Sequence, residues 1–175
     1  MGTDERTARG RIGAPGIVFM IGGAIGLLLS FTTFEWYSAP KATGDSVGKI
    51  TFSELRHNLD RFPAQGRPSA SVAYFGGLAW ALLIALIIVA FAANLPIRAS
   101  NGLRLLGLFL GLAGAALTYY TLSRYAQATH DLFGTGSGAL DNASLGIWCA
   151  LGGYLLAGIG AALGPRPPGF DTISP

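Results

Sequence analysis

The feature that most constrains this fold is a long apolar run that occurs four times along the chain. The first run, Gly16 to Tyr37, contains no charged residue before Glu35. About 20 apolar residues in a helix span the roughly 30 Å hydrocarbon core of a bilayer. A helix that is apolar on all sides needs the interior of a large protein or a membrane, and this chain has only 175 residues. The sequence therefore predicts a small integral membrane protein.

The spacing of the apolar runs predicts an all-α fold, an up-down four-helix transmembrane bundle. The predicted spans are 16–37, 71–95, 103–125 and 144–164. They leave tails at 1–15 and 165–175, loops at 38–70 and 126–143, and a connector at 96–102. The connector region is short and carries Arg98 and Arg104, as cytoplasmic segments tend to do. We therefore expect a multi-pass protein of the inner or plasma membrane with both termini inside, although the basic residues divide evenly between the two sides.

Composition excludes several classes of function. Only 12% of the residues are charged and the net charge is +3, so we expect no nucleic-acid partner. A single cysteine, Cys149, excludes an internal disulfide and a CxxC redox pair. It lies within the last apolar run, where we expect an inert buried thiol. No cofactor motif and no metal-ligand motif is visible, and we expect neither group to be bound.

The first loop contains the most specific local signal in the chain. Thr51 followed by Glu54 forms a capping box, and Ile50 with Leu55 forms the matching hydrophobic staple. An amphipathic helix is therefore predicted at 52–62, ending before Pro63. One face of this helix is apolar and is the candidate contact surface for a partner or for lipid; its residues are Phe52, Leu55, Leu59 and Phe62. Packing of the same face on the chain's own bundle is the first interpretation, and contact with a partner or with lipid is the alternative.

Small residues recur at intervals of three and four in every span. In lipid, helices gain little from apolar contact with each other, and small residues that permit close backbone approach hold them together instead. The predicted helix-packing residues are Gly22, Gly26, Gly77, Ala81, Gly107, Gly111, Gly153, Ala157 and Gly160. Packing within one bundle, binding to another membrane protein and self-association all remain open for these stripes. At the end of the first span, Trp36 and Tyr37 are typical of an aromatic belt at the membrane surface.

Groups that carry chemistry inside a membrane are missing from the centres of the spans. Transporters and proton pumps usually place Asp, Glu, His, Lys or Arg there, and none of these occurs at the centre of a span here. His57 and His130 lie in loops, and two histidines alone make a poor metal site. The polar side chains within the spans are hydroxyls, which can bond to their own helix.

In layout the chain resembles a broad group of uncharacterised small four-span bacterial membrane proteins. The resemblance rests on the aromatic end of the first span, Phe34 to Tyr37, and on the amphipathic segment Ile50–Phe62 in the loop that follows. It implies a protein of the cell envelope and carries over no functional residue.

These observations favour a non-enzymatic accessory or stabilising subunit of a larger membrane complex, such as a lipid-transport or respiratory assembly. Its partners would be membrane lipids and another integral membrane protein, with homo-oligomers left open. One alternative is a small homo-oligomeric channel or transporter with hydroxyl-lined faces. A second is a lipid-modifying enzyme that uses His57 or His130.

Overall fold

The computed structural model describes residues 14–40, 47–60, 63, 66–95, 100–133 and 138–164. Within them the chain is mostly helical and forms five helices and a two-stranded sheet. The helices are α1 (Ala14–Thr32), α2 (Phe52–Asp60), α3 (Ser69–Ala93), α4 (Ser100–Phe133) and α5 (Leu145–Leu163). The strands are β1 (Glu35–Pro40) and β2 (Val47–Thr51). Phe62, the C-terminal tail and most of the 96–102 connector lie outside the described residues.

Four helices, α1, α3, α4 and α5, are long and apolar enough to cross a membrane, as the sequence predicts. Helix α5 packs against the other three, and α3 also contacts α1 and α4. The strands and α2 lie at one end of this packed group, which we call the hairpin end. It contains the last residue of α1 and the first residue of α5, and a hydrogen bond joins Ser30 Oγ of α1 to the carbonyl of Gly146 at 2.7 Å.

The hairpin of β1 and β2 corrects the all-α prediction and shortens the first span. Helix α1 ends at Thr32, five residues before the predicted end at Tyr37. The two strands run antiparallel, and the register shifts between Glu35 and Tyr37. This bulge turns Trp36 into the protein, where the side chain is fully buried and Nε1 donates to the carbonyl of Ser30 at 2.8 Å. Glu35 pairs with Lys49 across the strands at 2.6 Å.

The expected aromatic belt at Trp36 and Tyr37 is therefore wrong. Trp36 is a core residue, and the hydroxyl of Tyr37 donates to the carbonyl of Ala139 at 2.9 Å. Burial raises the pKa of the Tyr37 hydroxyl, and the neighbouring Tyr125 adds to this shift. Two further backbone bonds attach β1 to the segment before α5, from Ser38 N to Asn142 O and from Ser144 N to Trp36 O. The membrane-surface interpretation fails because these tertiary contacts compete with the interface for the same side chains.

The predicted capping box at the start of α2 is confirmed. The backbone N–H of Thr51 donates to the Glu54 carboxylate at 2.7 Å, and the N–H of Glu54 lies 3.4 Å from Thr51 Oγ1. The bond from the Thr51 backbone, together with a weaker contribution from its hydroxyl, lowers the pKa of the Glu54 carboxyl. Since both interactions are local in the chain, the sequence alone contains the signal for them.

Close backbone approach holds the long helices together. A Cβ added at Gly23 of α1 would lie 2.6 Å from the carbonyl oxygen of Gly153 and 2.6 Å from the backbone nitrogen of Ala157, both on α5. On the other side of α5, a Cβ at Gly111 of α4 would lie 2.8 Å from the Cα of Gly158. No larger residue fits at these crossings without moving a helix backbone, which is how small residues stabilise helix pairs in lipid.

Neighbouring glycines in α1 provide a matched test of this packing. We expect Gly23→Ala to lower the free energy of unfolding in detergent micelles by about 1–3 kcal/mol, because the added methyl group overpacks the contact with α5. Gly22→Ala is the control, since nothing lies within 4 Å of its added Cβ. Alanine also favours the helix over glycine by roughly 1 kcal/mol. Equal stability of the two variants would contradict the register of α1 on α5.

Candidate functional site

The predicted contact face of α2 is covered by the chain's own residues. Phe52, Leu55 and Leu59 are 4%, 0% and 2% exposed, and Phe62 lies outside the described residues. The ring of Phe52 lies 4.7 Å from that of Phe31 and 5.3 Å from that of Trp36, measured between centroids. The structure thus places α2 as a lid on its own bundle, and the three residues are not available in this arrangement to a partner or to lipid. The residues of α2 that stay exposed are polar: Ser53, Glu54, Arg56, His57 and Asp60.

Hydroxyl groups within the spans join helices to one another. Ser71 Oγ of α3 donates to the carbonyl of Thr121 on α4 at 2.9 Å, and the hydroxyls of Tyr74 and Thr118 lie 2.6 Å apart. Thr118 Oγ1 also donates to the carbonyl of Gly114 in its own helix at 2.7 Å. These side chains are fully buried. The hydroxyls are therefore used in helix contacts, and this arrangement does not make them the lining of a water path through a single chain.

One turn of α3 departs from α-helical geometry. Residues Tyr74–Leu78 form a π-helical turn, and Gly77 inside it has φ 158°. Residues that carry a side chain rarely adopt this backbone conformation, so glycine is favoured there. Next to the turn, the buried Tyr154 of α5 donates its hydroxyl to the carbonyl of Ala79 at 3.1 Å. The π turn and this hydrogen bond together determine how α3 packs against α5 at this level.

The predicted helix-packing residues divide into two groups. Gly107, Gly111, Gly153, Ala157 and Gly160 lie at tight crossings between helices. Gly26 is in ordinary contact with α5, since an added Cβ would lie 3.7 Å from the carbonyl oxygen of Cys149. Gly22, Gly77 and Ala81 take no part in close crossings between helices of this chain: nothing lies within 4 Å of a Cβ added at either glycine, and Ala81 is exposed. The sequence reasoning missed four glycines at close crossings, namely Gly16, Gly23, Gly114 and Gly158.

The outward small residues of α3 form a bare patch on the apolar surface. Gly76 and Ala81 are exposed, and nothing lies within 4 Å of a Cβ added at Gly76 or Gly77. Large exposed side chains continue the same surface, with Ile84 56% and Ile88 61% exposed. We call Gly76, Gly77 and Ala81 the α3 patch. At this patch the backbone of α3 is accessible from outside the bundle.

The histidines and the cysteine lie apart from this patch. His57 is exposed on α2, and His130 is exposed near the end of α4, where its Nδ1 lies 3.7 Å from a carboxylate oxygen of Asp131. Cys149 is half-buried on α5. Among the described residues, no group of three or more histidine, cysteine, aspartate or glutamate side chains is placed to hold a metal ion.

Comparison of the chain with protein-family models, with curated proteins and with solved structures found no match. The resemblance to small four-span bacterial membrane proteins stays a prediction. Any function must therefore be argued from the residues of this chain.

Burial of the α2 face leads to a stability prediction. We expect Leu55→Ala to lower the free energy of unfolding of the isolated protein by about 2–5 kcal/mol, because Leu55 is fully buried and the change leaves a cavity. Arg56→Ala, at the exposed neighbouring position, serves as the control and should change it by no more than about 0.5 kcal/mol. Chemical unfolding in micelles measures both. A Leu55→Ala protein as stable as wild type would mean that α2 is not docked on its own bundle.

Proposed function

We propose that this chain is a non-enzymatic accessory subunit of a larger membrane protein complex. It is an up-down four-helix bundle in the inner or plasma membrane, with both termini inside and the hairpin end outside. Its role is to dock against a transmembrane helix of another integral membrane protein and to stabilise the assembly. The α3 patch is the docking surface, and the polar face of α2 offers further contacts outside the bilayer.

The observation that carries this proposal is the open backbone of the α3 patch. Nothing lies within 4 Å of a Cβ added at Gly76 or Gly77. Gly22, Gly102 and Gly152 are equally open, but among the described residues α3 alone has two consecutive open glycines, followed by the exposed Ala81. The patch begins about 10 Å along the helix from Ser69, so in the proposed arrangement it lies within the hydrocarbon core. Backbone polar groups are poorly accommodated by lipid, and a second helix with small residues is the cover that best fits such a surface.

The use of the other faces supports the same role. The contacts that hold the bundle together already occupy the apolar face of α2 and most glycines of α4 and α5, whereas Gly102 and Gly152 are open. The buried hydroxyls bond to backbone carbonyls or to each other. A self-contained bundle with a run of outward small residues on α3 suits a stabilising subunit better than a catalyst.

Substitution within the patch tests the proposal. Tagged wild-type protein purified from its native membrane in several mild detergents should retain a stoichiometric partner. Ala81→Ile should lose that partner while keeping the wild-type unfolding temperature, because Ala81 is exposed and its replacement blocks only the outer surface. Ala116→Ile is the matched control on α4, where an exposed alanine in a span undergoes the same change and the partner should remain.

Three results would count against the proposal. Recovery of the wild-type protein as a lone monomer in every mild detergent would overturn it. Retention of the partner by Ala81→Ile would remove the α3 patch from the interface. A complex containing only further copies of this chain would identify a homo-oligomer instead of an accessory subunit.

A further inference from the structure

A second outward surface runs along α4 and changes character from one end to the other. The part nearer the N-terminus of α4 is apolar and exposed, with Phe109 66% and Leu112 53% exposed. Tyr119 and Tyr120 follow, each about half exposed. Beyond them the polar residues Ser123, Arg124, Gln127 and His130 line a groove of about 500 Å³, closed on one side by Gly138 and Ala139. We call this the Arg124 groove.

The groove lies where the apolar part of the bundle ends. Thr121 of α4 is level with Ser71 of α3 through their hydrogen bond of 2.9 Å, and Ser71 is within the first turn of its helix. Half-exposed tyrosines are typical of the boundary between hydrocarbon and headgroups. Arg124 follows Tyr120 by one helical turn, about 6 Å along the axis. This step places its guanidinium in the headgroup layer, which is roughly 5–7 Å thick on each side of a bilayer.

Among the described residues, Arg124 makes no ion pair with a carboxylate, although Asp131 lines an adjoining hollow with it. Its Nη1 donates to the neutral amide oxygen of Gln127 at 3.0 Å. The other basic groups nearby have carboxylates beside them: His130 lies 3.7 Å from Asp131, and Arg67, in an adjoining hollow, lies 3.7 Å from Asp60. A guanidinium presents five N–H donors in a planar fork that fits the oxygens of a phosphate group. Arg124 is therefore the cation in this groove that is suited to an external anion.

From this arrangement we propose that the Arg124 groove binds an anionic phospholipid. The phosphodiester lies against Arg124 and Gln127, the glycerol region lies at Tyr119 and Tyr120, and an acyl chain follows Phe109 and Leu112. The order of apolar, aromatic and cationic residues along one helix face matches the order of groups in the lipid. The proposal does not depend on the accessory role, since it concerns a different helix and a different ligand.

The test compares lipids and variants on the full chain in maltoside micelles. Dioleoyl phosphatidylglycerol, dioleoyl phosphatidylcholine and inorganic phosphate are added in separate series. The readouts are the unfolding temperature and the number of bound lipids by native mass spectrometry. We expect phosphatidylglycerol to raise the unfolding temperature of wild type more than phosphatidylcholine does, with one lipid retained preferentially.

Arg124→Gln should weaken the apparent affinity for phosphatidylglycerol about tenfold or more, because a charge-assisted hydrogen bond to phosphate is lost. Arg56→Gln is the control, since it removes the same charge from an exposed site on α2 and should bind as wild type does.

Three outcomes would overturn the proposal. Equal binding by wild type and Arg124→Gln would remove the arginine from the site. An equal effect of phosphatidylglycerol and phosphatidylcholine would remove the preference for anionic lipid. Stabilisation by inorganic phosphate alone, lost in Arg124→Gln, would identify a soluble phosphate in place of a lipid.

Discussion

The contact between α1 and α5 is the constraint on which the rest of the structure depends. Gly23 and Gly153 bring the two backbones together so closely that neither position accepts a Cβ. In lipid this proximity replaces the hydrophobic effect, because dispersion and backbone contacts act only at short range. With α1 fixed, Ser30 reaches the carbonyl of Gly146 at 2.7 Å. The opposite side of α5 receives α4 through Gly111 and Gly158 in the same way.

The hairpin end follows from that contact. Since α1 stops at Thr32, the chain turns back and buries Trp36 beside Phe52 and Phe75, with ring centroids 5.3 and 5.6 Å away. Helix α2 then covers the aromatic cluster with its apolar face. All four spans keep exposed apolar residues, and the two proposals concern the open surfaces of α3 and α4. The first proposal puts a partner helix on α3 and the second puts a phospholipid headgroup on α4, so they concern different helices of the bundle.

The parts of this structure that depend on local interactions could be predicted from the sequence. The parts that depend on tertiary contacts could not. The four spans and the capping box at Thr51 and Glu54 depend on composition and on neighbours in the chain. The hairpin is not evident from the sequence. Its strands contain aromatic and β-branched residues, but Trp36 and Tyr37 fit a membrane belt equally well. Gly22 was chosen where Gly23 makes the contact, since repeats of small residues do not reveal which face meets another helix. The α3 patch became recognisable only after the internal contacts were assigned.

Cysteine cross-linking in native membranes tests the α1–α5 contact most directly. A cysteine at position 26 would face α5, because an added Cβ there lies 3.7 Å from the carbonyl oxygen of Cys149, whereas one at position 22 would face open space. A short bis-methanethiosulfonate linker should join Gly26→Cys to the native Cys149 within one chain, visible as a shift in gel mobility that reduction reverses. Gly22→Cys should give no such product. A cross-link within the chain from position 22, with none from position 26, would contradict this account of the fold.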